Sequence, residues 1–502
     1  MSIRVYNTLT REKEQLVTRK PGRVDIYQCG VTPYDYTHMG HARQYVLWDV
    51  IRRYLRYRGY EVFCVQNVTD IDDKIIAKAQ SLGISPDELA RRFDREYLEV
   101  MDALGVERPD VYPRVTEHIS DIIDVIRGLV ERGHAYETVN GVYFDVSSFP
   151  DYGKLSGRNL DEMRAGARVE VDEAKKDPAD FALWKKAKPG EPAWDSPWGR
   201  GRPGWHIECS TLALKYLGSG FDMHGGGTDL IFPHHENEIA QAEAYTGEGP
   251  FVRYWIHHEM VNVNQEKMSK SLGNLFTVRD VLKEFRPEDI RYFLVSVHYR
   301  SPANFGPGEL NAAKSARARL VNVIDSIDHV LGTPGAKNGP REGDAGAGPA
   351  HDPAAIPGAA DPAAGDLKSR IESLRNSFIE AMDDDFNTAG ALGALHSLAR
   401  EVNSFINRRR NAAFPPEDLE ALKAARDTLW ELGGLLGIFG VEPRVPGEDS
   451  RLLGKLVEFL VELRGQARER KEWALADQIR DRLKELGIVL EDTPQGTRWK
   501  ME

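Results

Sequence analysis

Val24-Asp-Ile-Tyr-Gln-Cys-Gly30, then Gly40-His-Ala-Arg-Gln-Tyr-Val-Leu-Trp-Asp-Val-Ile-Arg-Arg-Tyr-Leu-Arg-Tyr-Arg58, then Glu61-Val-Phe-Cys-Val-Gln-Asn-Val68 decide the fold. The first and third stretches combine β-branched and aromatic residues with little charge, which predicts strands. In the second, Val46, Val50, Ile51, Tyr54 and Leu55 recur at helical spacing. Strand, helix and strand within about 45 residues form a βαβ unit. That unit predicts an α/β fold with a parallel sheet and a ligand at the C-terminal ends of its strands. Further along, 221–224, 255–263 and 290–297 are short apolar runs that fit strands or core helices. Residues 111–204 have weak periodicity and many turns and read as an insertion.

At 502 residues, with 41% apolar and 29% charged side chains, the chain is long enough for about three domains. Residues 332–366 are mostly Gly, Pro, Ala and Asp, a composition that cannot offset its ordering entropy by burial, so a flexible linker is expected there. Beyond it, 366–407 and 416–437 carry a 3.6-residue apolar period, and 450–487 reads as amphipathic helix. The end, Thr493-Pro-Gln-Gly-Thr-Arg-Trp499, has turn chemistry instead. No run of about 18 uncharged apolar residues appears, which speaks against a membrane span. The first twenty residues carry no apolar core of a secretory signal. Three cysteines are too few and too scattered for a disulfide framework, so reduced thiols in a cytoplasmic protein, or metal ligands, are expected. The net charge of −12 excludes attraction of polyanions over the whole surface. The last 52 residues hold eleven basic and ten acidic side chains, a balance of +1, so any basic bias lies there.

Three constellations carry chemistry. His38-Met39-Gly40-His41 sits between the first strand and the first helix. Gly40 permits close backbone approach, the helix N-terminus favours phosphate, and His38 and His41 can donate to phosphate oxygens. Two capping or surface histidines are the other reading. Lys267-Met-Ser269-Lys270-Ser-Leu-Gly-Asn274 has the makings of a mobile basic loop over a polyphosphate, or of a solvated turn. Cys29, Cys209, His234 and Glu238 could fill a tetrahedral Zn²⁺ shell, with His235, Glu236 and His206 as rival ligands. Without a CxxC pair, buried free cysteines remain open as an alternative, and Cys64 reads as plain core.

The order and spacing of the HMGH and KMSKS stretches, about 230 residues apart, resemble the class I aminoacyl-tRNA synthetases. Tyr27-Gln-Cys-Gly-Val-Thr-Pro-Tyr-Asp-Tyr36, Asn67-Val-Thr-Asp-Ile-Asp-Asp-Lys74, Arg202-Pro-Gly-Trp-His-Ile-Glu-Cys209 and His224-Gly-Gly-Gly-Thr-Asp-Leu-Ile-Phe-Pro-His-His-Glu-Asn-Glu238 narrow the likeness to the cysteinyl-tRNA synthetases. It resumes at Glu380-Ala-Met-Asp-Asp-Asp-Phe-Asn387 and at Leu490–Thr497.

The resemblance implies a Rossmann-like catalytic domain over 1–110 and 205–270, with a connective subdomain inserted at 111–204. It implies a KMSKS and stem-contact region at 271–331, a linker at 332–366, a helical bundle at 367–445 and a small anticodon-binding domain at 446–502. It implies one zinc ion on Cys29, Cys209, His234 and Glu238 that takes the substrate's sulfur. ATP with Mg²⁺ would lie against His38, Gly40, His41, Lys267, Ser269 and Lys270. Thr69, Trp205, His224 and Asp229 would line the pocket for L-cysteine, with Asp229 on its ammonium. Arg468, Trp473 and Asp477, with Arg470 nearby, would read the GCA anticodon of tRNA(Cys), although a helix with Trp473 in its core fits the pattern equally. Lys74 and Lys78 resemble a segment tied to pyridoxal phosphate. A monomer is implied. A cysteine-activating ligase with an amino-sugar acceptor and a non-catalytic RNA-binding scaffold are the competing readings; the long tail and the intact signatures argue against them.

Overall fold

The computed structural model describes residues 2–159, 174–263, 266–267, 275–332, 364–409 and 413–440. Toward the C-terminus it describes 460–465, 467–468, 472–485, 488–493 and 496–501. The expected linker, apart from its ends, and the KMSKS residues after Lys267 lie outside the described residues. Two compact units are present, Met1–Val441 and Glu442–Glu502.

The first unit opens with an antiparallel hairpin, β1 (Arg4–Asn7) and β2 (Glu12–Gln15). Next come β3 (Arg23–Gln28), α1 (Met39–Tyr57) and β4 (Glu61–Gln66), the βαβ unit read from the sequence. Its helix starts where His38 turns the chain out of extended backbone, and it ends at Arg58, before Gly59 at φ 88°. The helices α2 (Asp73–Leu82) and α3 (Pro86–Ala103) are capped by Asp72 and Ser85. The insertion supplies α4 (Ile119–Glu131) and an antiparallel sheet of β5 (Ala135–Thr138), β6 (Gly141–Phe144), β7 (Phe181–Lys186) and β8 (Gly201–Pro203). The chain then returns through α5 (Trp205–Leu217), β9 (Phe221–Gly227), α6 (Glu236–Thr246) and β10 (Val252–His258).

The central sheet has the order β10-β9-β3-β4, and every pairing is parallel. It is covered on both faces, as parallel sheets require. Val24, Ile26, Cys64, Met223 and Ile256 belong to one core with α1, while Tyr27, Cys29, Val65, Phe221 and Trp255 belong to a second with α5 and α6. Cys64 is fully buried core. The run 255–263 proves to be strand, the end of β10 followed by β11 (Val261–Val263). Strand β11 pairs antiparallel with β12 (Glu266–Lys267). After α7 (Val278–Val281) and α8 (Pro287–Val295), which makes 290–295 helix, β11 gains a parallel neighbour, β13 (Ala303–Phe305).

Four helices follow: α9 (Pro307–Leu331), α10 (Ala364–Asp383), α11 (Thr388–Arg408) and α12 (Pro416–Leu436). The periodic stretch 366–407 is therefore two helices. The break has no glycine. Asp385 and Phe386 adopt left-handed backbone at φ 66° and 49°, and the Asn387 side chain caps α11 by accepting from Gly390 N. Each such residue costs about 1–3 kcal/mol, so its surroundings must hold it. Phe386 is fully buried, and Asp385 accepts from Tyr6 N at 2.8 Å, Tyr299 Oη at 2.5 Å and Arg300 Nε at 2.7 Å.

The second unit contains a helix over 460–465, α13 (Trp473–Glu485) and an antiparallel hairpin, β14 (Ile488–Thr493) with β15 (Gly496–Met501). The turn chemistry of 493–499 thus belongs to a hairpin whose arms reach Trp499. Leu483 is buried against Leu460, Val461, Ile479 and Leu490. Trp473 is 58% exposed, so the reading that puts it in a core is overturned. Among the described residues, no helix is long and apolar enough to cross a membrane.

Candidate active site

Cys29 stands one residue past β3, where the backbone leaves the sheet beside the C-terminal ends of β4 and β9. Gly30 follows because nothing larger fits: a Cβ there would lie 1.5 Å from Asn67 O. Cys209 projects from the second turn of α5, and a kinked turn over Ile231–His235, with Phe232 extended at φ −136° and ψ 131°, feeds α6 so that His234 and Glu238 reach the same point. Cys29 Sγ lies 3.9 Å from Cys209 Sγ, 3.4 Å from His234 Nε2 and 3.7 Å from Glu238 Oε1. His234 Nε2 is 2.9 Å from Glu238 Oε1. All four residues are buried, with their ligand atoms within 4.8 Å of one another. Ligand distances of about 2.0–2.3 Å around a tetrahedral Zn²⁺ place donor atoms some 3.3–3.8 Å apart, so this set fits such an ion.

Electrostatics favour the anions of Cys209 and Glu238 but not that of Cys29. Burial raises the Cys29 thiol, which in turn donates to Cys209 and holds that thiol down to about 6. Burial alone would raise Glu238, but His224 and His234 bring it to about 2.

A second group, Cys29 with His224, His235 and Glu238, is equally close. His224, however, has both ring nitrogens engaged, at 3.0 Å from Tyr27 O and 2.8 Å from Glu238 Oε2. His235 Nε2 is 3.4 Å from Cys29, and its Nδ1 is 2.7 Å from His257, which continues to Thr8. His206 bonds the far nitrogen of His234 at 2.9 Å, leaving His234 Nε2 turned to the cysteines. Glu236 is directed away, onto Gly153 N, Leu155 N and Ser156 N of the insertion. Trp205, 38% exposed, stacks on His234 at 4.3 Å and 22°. Thr69 is buried; its hydroxyl donates to Glu208 at 3.1 Å and accepts from Asn67. Burial pushes the Glu208 carboxyl well above its ordinary range. Asp229 stands exposed in the turn after β9.

The polar chains through Asn67, Glu208 and His257 escaped the sequence reading. Their only signal there is the density of polar residues at strand ends, where a plain core would be apolar.

His38 and His41 form a reciprocal cap. His41 N donates to His38 Nδ1, His38 N donates to His41 Nδ1, and the rings stack at 3.7 Å, with Gly40 between them. The chain leaving the KMSKS stretch lies along this cap: Met39 N donates to Phe276 O at 3.1 Å, and Val278 N donates to Thr37 O at 2.8 Å. Lys267 pairs through its backbone with Asn262 of β11, while Ser269 and Lys270 lie outside the described residues. In the second unit Arg468, Trp473 and Asp477 are all exposed, the last two one helical turn apart on α13; Arg470 lies outside the described residues. Lys74 stands exposed with its ammonium 5.6 Å over Tyr34, and nothing at Lys74 or Lys78 supports a pyridoxal phosphate site.

Comparison with known proteins decides the family. A family model described as the tRNA synthetases class I (C) catalytic domain matches residues 15–315. A DALR domain matches 377–440, and a cysteinyl-tRNA ligase anticodon binding domain matches 453–499. The cysteine–tRNA ligase of Heliobacterium modesticaldum is 52% identical over 500 residues, covering 100% of both chains. The chain belongs to the cysteine–tRNA ligase family. The cysteine–tRNA ligase of Pelotomaculum thermopropionicum is also 52% identical, over 99% of both chains. The fold is shared more widely within class I. Mycobacterium tuberculosis methionyl-tRNA synthetase in complex with methionyl-adenylate superposes with a TM-score of 0.58 at 16% identity, covering 88% of this chain and 94% of that one. This family member is therefore a class I aminoacyl-tRNA synthetase by sequence and by fold.

Proposed function

We propose that the chain joins L-cysteine to ATP as cysteinyl-adenylate, with release of pyrophosphate, and then transfers the cysteinyl group to the 3′-terminal hydroxyl of tRNA(Cys). The buried pair of thiols with His234 and Glu238, at the C-terminal ends of the parallel strands, is the observation that carries this reading. Cys29, Cys209, His234 and Glu238 would hold zinc there, and zinc supplies a Lewis acid that prefers a thiolate to a hydroxyl, the basis for rejecting serine.

The protein's own groups do the rest by positioning and charge. His38 and His41, with Gly40 between them, receive the phosphates of Mg²⁺-ATP at the start of α1, where backbone N–H groups also point outward. Lys267 and Lys270, with Ser269, close the other side and neutralise the departing pyrophosphate. Trp205 and His224 shape the cysteine pocket around the thiol end, Thr69 supports its floor through Asn67, and Asp229 takes the ammonium. The three cysteines, all free and buried, suit a reducing cytoplasm.

Purified protein is expected to catalyse cysteine-dependent exchange of pyrophosphate into ATP and to charge transcribed tRNA(Cys). Exchange without charging, together with charging of an amino sugar, would overturn the tRNA assignment.

On α13, exposed Trp473 offers a stacking face for an unpaired base, with Asp477 and Arg468 to bond its edges. Base stacking is worth about 1–3 kcal/mol, so Trp473→Ala is expected to raise the KM for tRNA by roughly 5- to 150-fold. Pyrophosphate exchange should stay within twofold of wild type. An unchanged KM for tRNA removes Trp473 from the interface.

A further inference from the structure

Three consecutive aspartates at the α10–α11 turn grip three separate parts of the catalytic body. Asp383 accepts from Tyr54 Oη at 2.6 Å and pairs with Arg58, both on α1. Asp384 pairs with Arg4 and Lys13 of the opening hairpin at 2.8 and 2.9 Å, and is 40% exposed. Asp385 is fully buried, and its carboxylate takes both Tyr299 Oη and Arg300 Nε. Two left-handed non-glycine residues are maintained there. Strain of that kind persists where the surroundings over-determine it, and it points to a task.

The task is visible one layer further in. Tyr299 and Arg300 belong to the four-residue loop 298–301. On its other side the carbonyls of His298, Tyr299 and Ser301 all accept from Arg43 Nη2, at 3.4 Å, at 3.2 Å and, for Ser301, in a close contact. Tyr299 O also accepts from Glu259 N at 2.8 Å, just past β10. Arg43 is 3% exposed, and its Nε and Nη1 have no hydrogen-bond partner among the described residues. Its guanidinium is thus held by this loop, and Arg43 lies two residues beyond His41 on the same first turns of α1.

We infer that Asp385 is a positioning residue for adenylation: by clamping loop 298–301 it fixes Arg43, and through Arg43 the two histidines at the start of α1. This rests on the reading that His38 and His41 meet the phosphates. A small displacement of such groups costs transition-state contacts more than ground-state binding, so it lowers kcat and leaves cysteine binding alone.

The test is cysteine-dependent pyrophosphate exchange by full-length protein. Asp385→Asn keeps an acceptor for Tyr6 N and Tyr299 but loses the charge facing Arg300. It is expected to lower kcat about tenfold, with the KM for cysteine and the zinc content unchanged. Asp384→Asn, at an exposed pair, serves as the unaffected control. Arg43→Lys combined with Asp385→Asn should be no slower than the slower single variant, because both act through one loop. An Asp385→Asn protein with wild-type kcat, or a double variant whose losses multiply, overturns the assignment. If Asp385→Asn fails to fold by circular dichroism, Tyr299→Phe carries the test, a several-fold loss of kcat supporting it and an unchanged kcat refuting it. Absence of exchange by the wild type would instead overturn the functional reading itself.

Discussion

Cys209→Ser is expected to empty the metal centre and to abolish the preference for cysteine over serine. Cys209 is 2% exposed, and its sulfur sits 3.9 Å from Cys29 Sγ. A serine there presents a hydroxyl that does not ionise near neutral pH, whereas the Cys209 thiol is held near 6 by the Cys29 thiol that donates to it. One of two sulfur donors, and the one whose thiol ionises more readily, is therefore lost from a four-donor set, and a hydroxyl in a shell of this size is a poor replacement. Discrimination of about 10⁴ between cysteine and serine corresponds to roughly 5.5 kcal/mol, which an apolar pocket cannot draw from exchanging sulfur for oxygen. Zinc per chain by elemental analysis, with kcat/KM for both amino acids in pyrophosphate exchange, checks the result. The expectation is loss of bound zinc and a fall of at least about 10² for cysteine. Unchanged zinc and unchanged selectivity would falsify the ligand assignment.

The second large effect separates chemistry from capping. His38→Asn replaces the N-cap of α1 with a residue type that caps helices at least as well, so the melting temperature should hold within a degree or two. The imidazole proposed to meet the phosphates is nevertheless gone. Removing one preoriented donor from a developing negative charge typically costs 10²–10³ in kcat, and that range is expected for adenylation here. The KM for cysteine should remain as in the wild type. A variant that keeps both its melting temperature and its kcat would leave His38 as a cap and nothing more.

The βαβ unit was legible in the sequence because its strands are rich in β-branched and aromatic residues while the apolar positions of α1 recur every 3.6 residues. Short runs were not. Residues 255–263 and 290–297 are both short apolar runs, yet one forms strands and the other is mostly helix, since position in the layers decides between them. The α10–α11 break was masked by the apolar period that runs through it, although Asp383–Asp385 and Asn387 are turn-favouring types; the left-handed backbone at Phe386 carries no such signal, and the turn is held by partners nearly 380 residues away in the chain, such as Tyr6.

The candidate metal centre was half legible. Cysteine, histidine and glutamate could be proposed, but spacing could not rank His234 above His235, because the kinked turn before α6 leaves both imidazoles 3.4 Å from the same sulfur. What distinguishes them is the distance to Glu238 Oε1, 2.9 Å from His234 Nε2 and 4.0 Å from His235 Nε2, a property of the folded core. Trp473 shows the converse: amphipathic pattern fits a core position, and only the fold reveals its exposed face.

The short backbone ladder that joins Thr37–Met39 to Phe276–Val278 has a temporal consequence. It closes a segment of more than 230 residues, so the start of α1 has no edge to rest on until that entire length has been synthesised. On the proposed reading of the histidine pair, a nascent chain emerging from the ribosome carries it for most of its elongation without a completed site, and the capacity to consume ATP is acquired late, once translation has passed Val278.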